Sequence, residues 1–489
     1  MPKQAVSAGP EQEGSSATSI RKSPTRVRGL DAVLHGGLPA SQTTLISGGP
    51  GSGKTMLALE IAYRAALAGE PALFLSFEES AEAIRRNALS MGWDLQPLEE
   101  DGKLAILDGR VDPAVVRAGD FDIGGLLAIL GGQTKALGAR YVAIDAIDGL
   151  LRILQDPAVE REQLEILHRW LLDSELTSMI TVKVYNGASA ANNYDFLDYM
   201  VDCVIELDQR VDGQISTRRI RVLKYRGSSF QRNEHPFAIT AEGIRIVPVS
   251  GLALAHQSSD RLLSTGHEHI DRMLGGGLVE SSIALISGAS GTGKTSLACH
   301  IARAACDRGE RVLYLQFEEA PTSMVERMRS PGIDLQPALE RGLLLIDAAM
   351  PEAMGIEEHL IRILDLIEEH GATLVVIDAI SAASRMSTAE AEFDFLMRLT
   401  CHCRREGITC LLTNQSRQSD RPRNVATMGL SSLIDTVIVL AYQQDEDVFH
   451  RTLLVLKSRG MQHSSKRERF QITDDGFDFS NGSQSDPEA

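Results

Sequence analysis

Cysteine is scarce, with six residues (Cys203, Cys299, Cys306, Cys401, Cys403 and Cys410) in a chain of 489. That is too few for a disulfide framework and suits a reduced compartment. Cys401-His402-Cys403 has no second ligand pair at zinc-finger spacing and continues a helix-like segment at 393–405, so free thiols are expected rather than a metal centre. No apolar run approaches the roughly 18 residues needed to cross a bilayer. The N-terminus lacks the apolar centre of a secretory signal, and a cytoplasmic protein is expected. Positive charge is also in deficit: 49 basic against 66 acidic residues leave a net charge of −17, which opposes nonspecific adhesion to nucleic acid or anionic membrane. The local exception is a short loop carrying Arg417, Arg421 and Arg423 against Asp420.

What the chain does have is one phosphate-binding sequence written twice. Residues 48–55 read Gly-Gly-Pro-Gly-Ser-Gly-Lys-Thr and residues 288–295 read Gly-Ala-Ser-Gly-Thr-Gly-Lys-Thr. Each follows an apolar strand-like run and opens a helix-like one. In such a loop Gly51, Ser52 and Gly53, or Gly291, Thr292 and Gly293, let backbone N–H groups close around phosphates. Lys54 and Lys294 neutralise them, and the Thr55 and Thr295 hydroxyls ligate Mg²⁺. The helices continuing through Met56 and Ser296 add their positive dipole ends.

The duplication extends well past the loops. A spacing of 240 residues separates Lys54 from Lys294 and also Glu78 from Glu318. Strand-like runs at 71–77 and 311–317 each end in paired carboxylates, Glu78-Glu79 and Glu318-Glu319. Farther on the spacing becomes 233, linking Asp145 to Asp378 and the Lys224-Tyr225-Arg226-Gly227 run to Lys457-Ser458-Arg459-Gly460. The chain is therefore a tandem repeat of one domain. Continuous apolar strand runs alternating with helix-length segments predict, in each copy, a mostly parallel sheet flanked by helices, an α/β fold. The expected boundaries are a disordered lead at 1–25, a first domain at 26–247, a linker at 248–261, a second domain at 262–475 and a flexible tail at 476–489.

Asp145 and Asp378 end apolar strands beside the loops, where a carboxylate can hold the metal's water shell; a turn aspartate is the alternative. The doubled glutamates lie at strand carboxyl ends, where open α/β sheets put their ligands. One glutamate of each pair is a candidate catalytic base for attack on the γ-phosphate, and its neighbour a tuning or metal-touching group, Glu318 among them. Which glutamate does which is open. Lys224 with Arg226, and Lys457 with Arg459, are two residues apart in strand-like segments and so project from one face. Such a two-pronged cationic clamp can reach a neighbouring subunit's nucleotide.

The tandem loops, the doubled Phe-Glu-Glu segments, the Lys-x-Arg-Gly segments and the Gly275-Gly276-Gly277-Leu278 run together resemble the KaiC family, double-domain RecA-like ATPases of bacterial clocks. The match covers nearly everything from 26 to 475. The resemblance implies two tandem RecA-like P-loop domains, a double-ring homohexamer with ATP between subunits, an ATPase first ring and a self-phosphorylating second ring. It also implies that Ser90, Tyr225, Arg451 and Ser458 join the ATP-binding set, that Ser431 and Ser432 are the phosphoacceptors, and that Arg385 pairs with the new phosphate. A KaiB-like protein and a signalling output partner are the implied partners, whereas the short C-terminal end argues against a KaiA-type activator. Pro331 and Gln462 stand where the best-known members carry aromatics near the second nucleotide, and Phe230 replaces a polar residue in the first site. The rival reading is a RecA/RadA-like DNA-binding motor, for which the Arg417, Arg421 and Arg423 loop is the main argument. A nucleotide-dependent scaffold is a third, disfavoured by the doubled glutamates.

Overall fold

A computed structural model describes residues 20–110, 123–154, 156–184, 195–212, 215–248, 259–385, 389–415, 433–446 and 448–479. The chain divides into two compact units, the first lying almost wholly before residue 249 and the second almost wholly after it. In the first unit the strands are β1 (Thr43–Gly48), β2 (Ala72–Ser76), β3 (Leu104–Asp108), β4 (Tyr141–Asp145), β5 (Thr177–Lys183), β6 (Cys203–Asp212), β7 (Ile215–Tyr225), β8 (His235–Thr240) and β9 (Gly243–Ile246). They form one nine-stranded sheet in the order β9-β8-β7-β6-β1-β5-β4-β2-β3. The pairs from β6 to β3 are parallel, and β8 pairs antiparallel with β7 and β9.

The second unit repeats this plan with β10 (Ile283–Gly288), β11 (Val312–Gln316), β12 (Leu344–Ala348), β13 (Leu374–Asp378), β14 (Thr409–Gln415), β15 (Thr436–Asp445), β16 (Val448–Ser458), β17 (Glu468–Thr473) and β18 (Gly476–Asp478). Their order, β12-β11-β13-β14-β10-β15-β16-β17-β18, mirrors the first sheet strand for strand. The expected fold class, two mostly parallel sheets flanked by helices in RecA-like P-loop domains, is what the structure shows.

The apolar strands explain the burial. β1, β2 and β4 are buried along their whole length, as continuous hydrophobic runs require when both sheet faces are covered. One face packs the helix Lys54–Leu67 with Leu57, Ile61, Phe74 and Tyr141. The other packs Leu73, Val142, Leu130, Leu164 and Leu171 from the sheet and the helices Ile123–Leu137 and Pro157–Asp173. Among the described residues the first strand pair is Lys22–Ser23 with Leu38–Pro39, ahead of the boundary read at 26, and β18 runs past the one read at 475. Two- and three-residue edge strands carry no periodicity from which a sequence could place them.

Candidate functional site: two phosphate loops and their strand-end carboxylates

Each phosphate loop leaves the carboxyl end of a central strand, β1 or β10, and turns into a helix, Lys54–Leu67 or Lys294–Asp307. Gly53 and Gly293 precede these helices at φ of 99° and 101°, and no side chain caps either N-terminus. The first-turn N–H groups are thus left for an anion. A Cβ on Gly288 would come 2.3 Å from the Leu440 carbonyl oxygen, so the loop needs glycine there to lie against β15.

In the first unit Lys54 bends back to donate to the Gly49 carbonyl at 2.7 Å. Burial lowers its pKa, and the Lys183 ammonium pushes the same way. Asp145, 1% exposed at the end of β4, accepts from Thr55 Oγ1 at 3.0 Å to each oxygen and from Thr181 Oγ1 at 2.6 Å. Burial raises this carboxyl to about 6. A threonine hydroxyl and a carboxylate at the loop's mouth are hard oxygen donors of the kind that suit Mg²⁺.

The adjacent glutamates diverge. Glu78 takes the Lys183 ammonium from β5, while Glu79 accepts from Asn87 Nδ2 at 2.8 Å and its own N–H donates to Ser76 Oγ at 3.0 Å. Ser90 is exposed at the end of the helix Ala81–Ser90, where its hydroxyl donates to the Asn87 carbonyl at 2.7 Å.

In the second unit a cleft of about 640 Å³ gathers Gly291, Gly293, Lys294, Thr295, Ser296, Glu318, Glu319, Asp378 and Arg451. Lys294 donates to the Ala289 carbonyl at 2.9 Å, and Thr292 Oγ1 to the same oxygen at 2.8 Å. Arg451 and Tyr442 both donate to the Gly291 carbonyl, at 3.3 and 2.7 Å. Glu319 pairs with Arg327 at 2.6 Å. Asp378 accepts from Tyr314 OH at 2.9 Å and from Thr413 Oγ1; the first unit has Phe74 where Tyr314 stands.

The Lys-x-Arg segments lie elsewhere. The Arg226 N–H donates to the Asp202 carbonyl and the Asp202 N–H to the Thr43 carbonyl, which puts Arg226 at the amino end of β1. Its own phosphate loop begins at the other end of that strand, about 17 Å away at 3.3 Å per residue. Ser458 pairs with Thr436, and Thr436 with Ala284 near the start of β10, so the second clamp is equally remote from its own loop. Lys224 Nζ donates to the Asp198 and Val201 carbonyls, and Arg226 to that of Tyr199. Lys457 donates to the Ile434 carbonyl at 2.7 Å, and Arg459 lies 3.7 Å from Asp435. Burial, with the arginine two residues on, lowers both clamp lysines. Tyr225 is buried, its hydroxyl donating to the Gly37 carbonyl at 2.9 Å, and its ring stacks on Phe230.

Ser431, Ser432 and the Arg417, Arg421 and Arg423 loop lie outside the described residues, and Arg385 ends the 3₁₀ helix Ile380–Arg385. Cys401 is half-buried and Cys403 buried, both free thiols. Among the described residues no helix is long and apolar enough to cross a membrane.

Residues missed in the sequence are Thr181 and Thr413, which hold the aspartates, and Lys183, Tyr314 and Arg327. Thr181 and Thr413 pair with Ile46 and Ile286, equivalent positions of β1 and β10. Aligning the strands beside the loops, rather than the loops alone, would have found them.

Paired phosphate loops beside strand-end carboxylates on mostly parallel sheets define a tandem RecA-like P-loop ATPase. The family model described as "ATPase: KaiC" matches residues 23–251 and again 263–483, and the chain belongs to the KaiC ATPase family. It is 37% identical over 471 residues to the circadian clock protein KaiC2 of a Synechocystis strain, covering 96% of this chain and 83% of that protein. It is 34% identical to the circadian clock oscillator protein KaiC of a Picosynechococcus strain and 33% identical to that of Synechococcus elongatus, each over 94% of this chain and 89% of the relative.

Proposed function

We propose that the protein is a homohexameric, Mg²⁺-dependent ATPase whose second unit also transfers phosphate to its own Ser431 and Ser432, acting in bacterial timing or signalling. The observation that carries the assembly is the distance of each clamp from its own loop. Lys224 with Arg226, and Lys457 with Arg459, cannot serve the phosphates of their own unit, but they suit a nucleotide held by a neighbouring copy. ATP sits with its phosphates in the loops at 48–55 and 288–295, held by Lys54 and Lys294. Thr55 and Asp145, and Thr295 with Asp378 and Glu318, are the groups that would hold the metal. A Mg²⁺ ion held by these groups would neutralise phosphate charge as it develops.

Glu78 and Glu318, at the carboxyl ends of the neighbouring strands, take the proton of the attacking oxygen: a water in the first unit, and a water or a serine hydroxyl in the second. The timing role and the acceptor serines rest on the relatives, which are named as clock proteins.

Incubation with γ-labelled ATP and Mg²⁺ followed by phosphopeptide mapping tests the transfer. Label retained on Ser431 or Ser432, abolished by Glu318→Gln, is expected. Label confined to other residues removes the autokinase and leaves the ATPase.

A further inference from the structure

Among the equivalent positions at which the two sites differ, one pairs directly with the phosphate loop. Lys183 ends β5 and pairs with Gly48, the first glycine of the phosphate loop. Gln415 ends β14 and pairs in the same register with Gly288. The strand beside the loop therefore delivers an ammonium to the first site and a neutral amide to the second. Lys183 is anchored by its backbone, whose N–H donates to Asp148 Oδ1 at 3.1 Å, while the Val184 N–H donates to the Gly48 carbonyl. Its side chain, about one-quarter exposed, closes on Glu78 Oε1. It also lies close enough to Lys54 for the two ammonium groups to repel, and Glu78 acts on the same lysine, so all three groups converge at the phosphate loop.

The geometry points to Lys183 as a γ-phosphate sensor of the first site: without a γ-phosphate its ammonium holds Glu78, and with ATP bound it exchanges that carboxylate for the γ-phosphate. The exchange is electrostatically downhill, since a γ-phosphate carries more negative charge than one carboxylate and offers three acceptor oxygens. ADP has nothing at that place, so the pair stays closed. Once released, Glu78 accepts a proton from the water whose oxygen attacks the γ-phosphorus, and the β–γ bridging oxygen leaves with ADP. This last step rests on the proposed role of Glu78 as base; the exchange does not. Gln415, which lines the second cleft, can donate an amide N–H but carries no charge, so the second site lacks this charge-driven exchange.

The test uses the full chain with Lys294→Ala, so that nucleotide binding reports the first site, and compares affinity for a slowly hydrolysed ATP analogue carrying a γ-thiophosphate with affinity for ADP. A charge-assisted bond of this kind corresponds to roughly tenfold or more in affinity. Lys183→Gln, which installs the residue of the second unit, is expected to weaken the analogue about tenfold relative to ADP, and Lys183→Arg to restore most of that preference. Glu78→Gln removes the partner that competes for Lys183 and is expected to tighten the analogue relative to ADP, an effect that vanishes when Lys183→Gln is added. An unchanged analogue-to-ADP ratio in Lys183→Gln, or a Glu78→Gln effect that persists without Lys183, overturns the inference. Turnover decides separately on the base: hydrolysis at the parent rate in Glu78→Gln removes that role and leaves the affinity ratio to judge Lys183.

Discussion

Glu60 and His300 show how one position can carry two chemistries. They are equivalent residues on the helices that follow the two phosphate loops, 240 residues apart. Glu60 is fully buried and accepts the Ile244 N–H at 2.7 Å and Arg64 Nε at 2.7 Å. Its carboxylate ties the helix to β9. Glu60→Ala would leave the buried Ile244 N–H without its acceptor and Arg64 with the Glu242 carbonyl, an expected loss of about 1–3 kcal/mol, read as a fall in the denaturant midpoint of the first unit's transition.

His300 instead packs edge-on against Phe477 of β18, with ring centroids 5.8 Å apart. Burial, with Arg303 adding to it, lowers its imidazole from 6.5 to about 4. Because the folded value lies below the unfolded one, the neutral ring's contribution is complete above pH 6.5 and drains away as pH falls toward 4. Acidification from pH 7 to 5 is expected to cost the second unit about 2 kcal/mol through this group. His300→Leu should flatten that dependence, measured as thermal midpoint against pH. An equal slope in wild type and variant would count against it.

At the level of elements, the strand ends decide the chemistry. The phosphate loops, the doubled glutamates and the aspartates at 145 and 378 were legible because each is a compact motif closing an apolar run, and the repeat supplied a second reading of each. Lys183, Thr181, Thr413 and Tyr314 were not. The first three owe their importance to parallel pairing that sets β5 beside β1 and β14 beside β10, contacts that span more than a hundred residues of chain, and Tyr314 owes its own to the pairing of β11 with β13. Even the doublets were only half legible, since nothing local shows that Lys183 selects Glu78 while Arg327 selects Glu319.

From this geometry Glu78→Gln in the first unit, with Lys294→Ala silencing the second, is expected to lower steady-state ATP hydrolysis by about 10² to 10⁴ while nucleotide binding persists. Glu79→Gln should cost far less, because Glu79 is engaged with Asn87 on the neighbouring helix. Phosphate-release kinetics on the two variants check the order, and equal losses would contradict it.

For the whole molecule, the position of the clamps sets how the sites are completed in the proposed hexamer. Each clamp lies level with the amino end of β1 or β10, whereas the loop leaves the carboxyl end of that strand, so neither unit brings its own clamp to its own loop. Replacing Lys224, Arg226, Lys457 and Arg459 by alanine should therefore prevent ATP-driven hexamer formation while each loop still binds nucleotide. Light scattering with and without ATP and Mg²⁺ reads this directly, and a hexamer that persists in the variant would contradict it.

Subunit mixing tests the completion of one copy's loop by another copy's clamp most directly. One variant carries the four clamp alanines with both glutamate pairs intact; the other carries Glu78→Gln and Glu318→Gln with its clamps intact. Each alone is expected to hydrolyse ATP poorly, whereas their mixture joins an intact loop from the first to an intact clamp from the second. ATP turnover by the mixture well above the sum of the two variants is the expected result. Turnover no greater than that sum, with mixed assemblies seen by light scattering, would contradict completion of the site between copies.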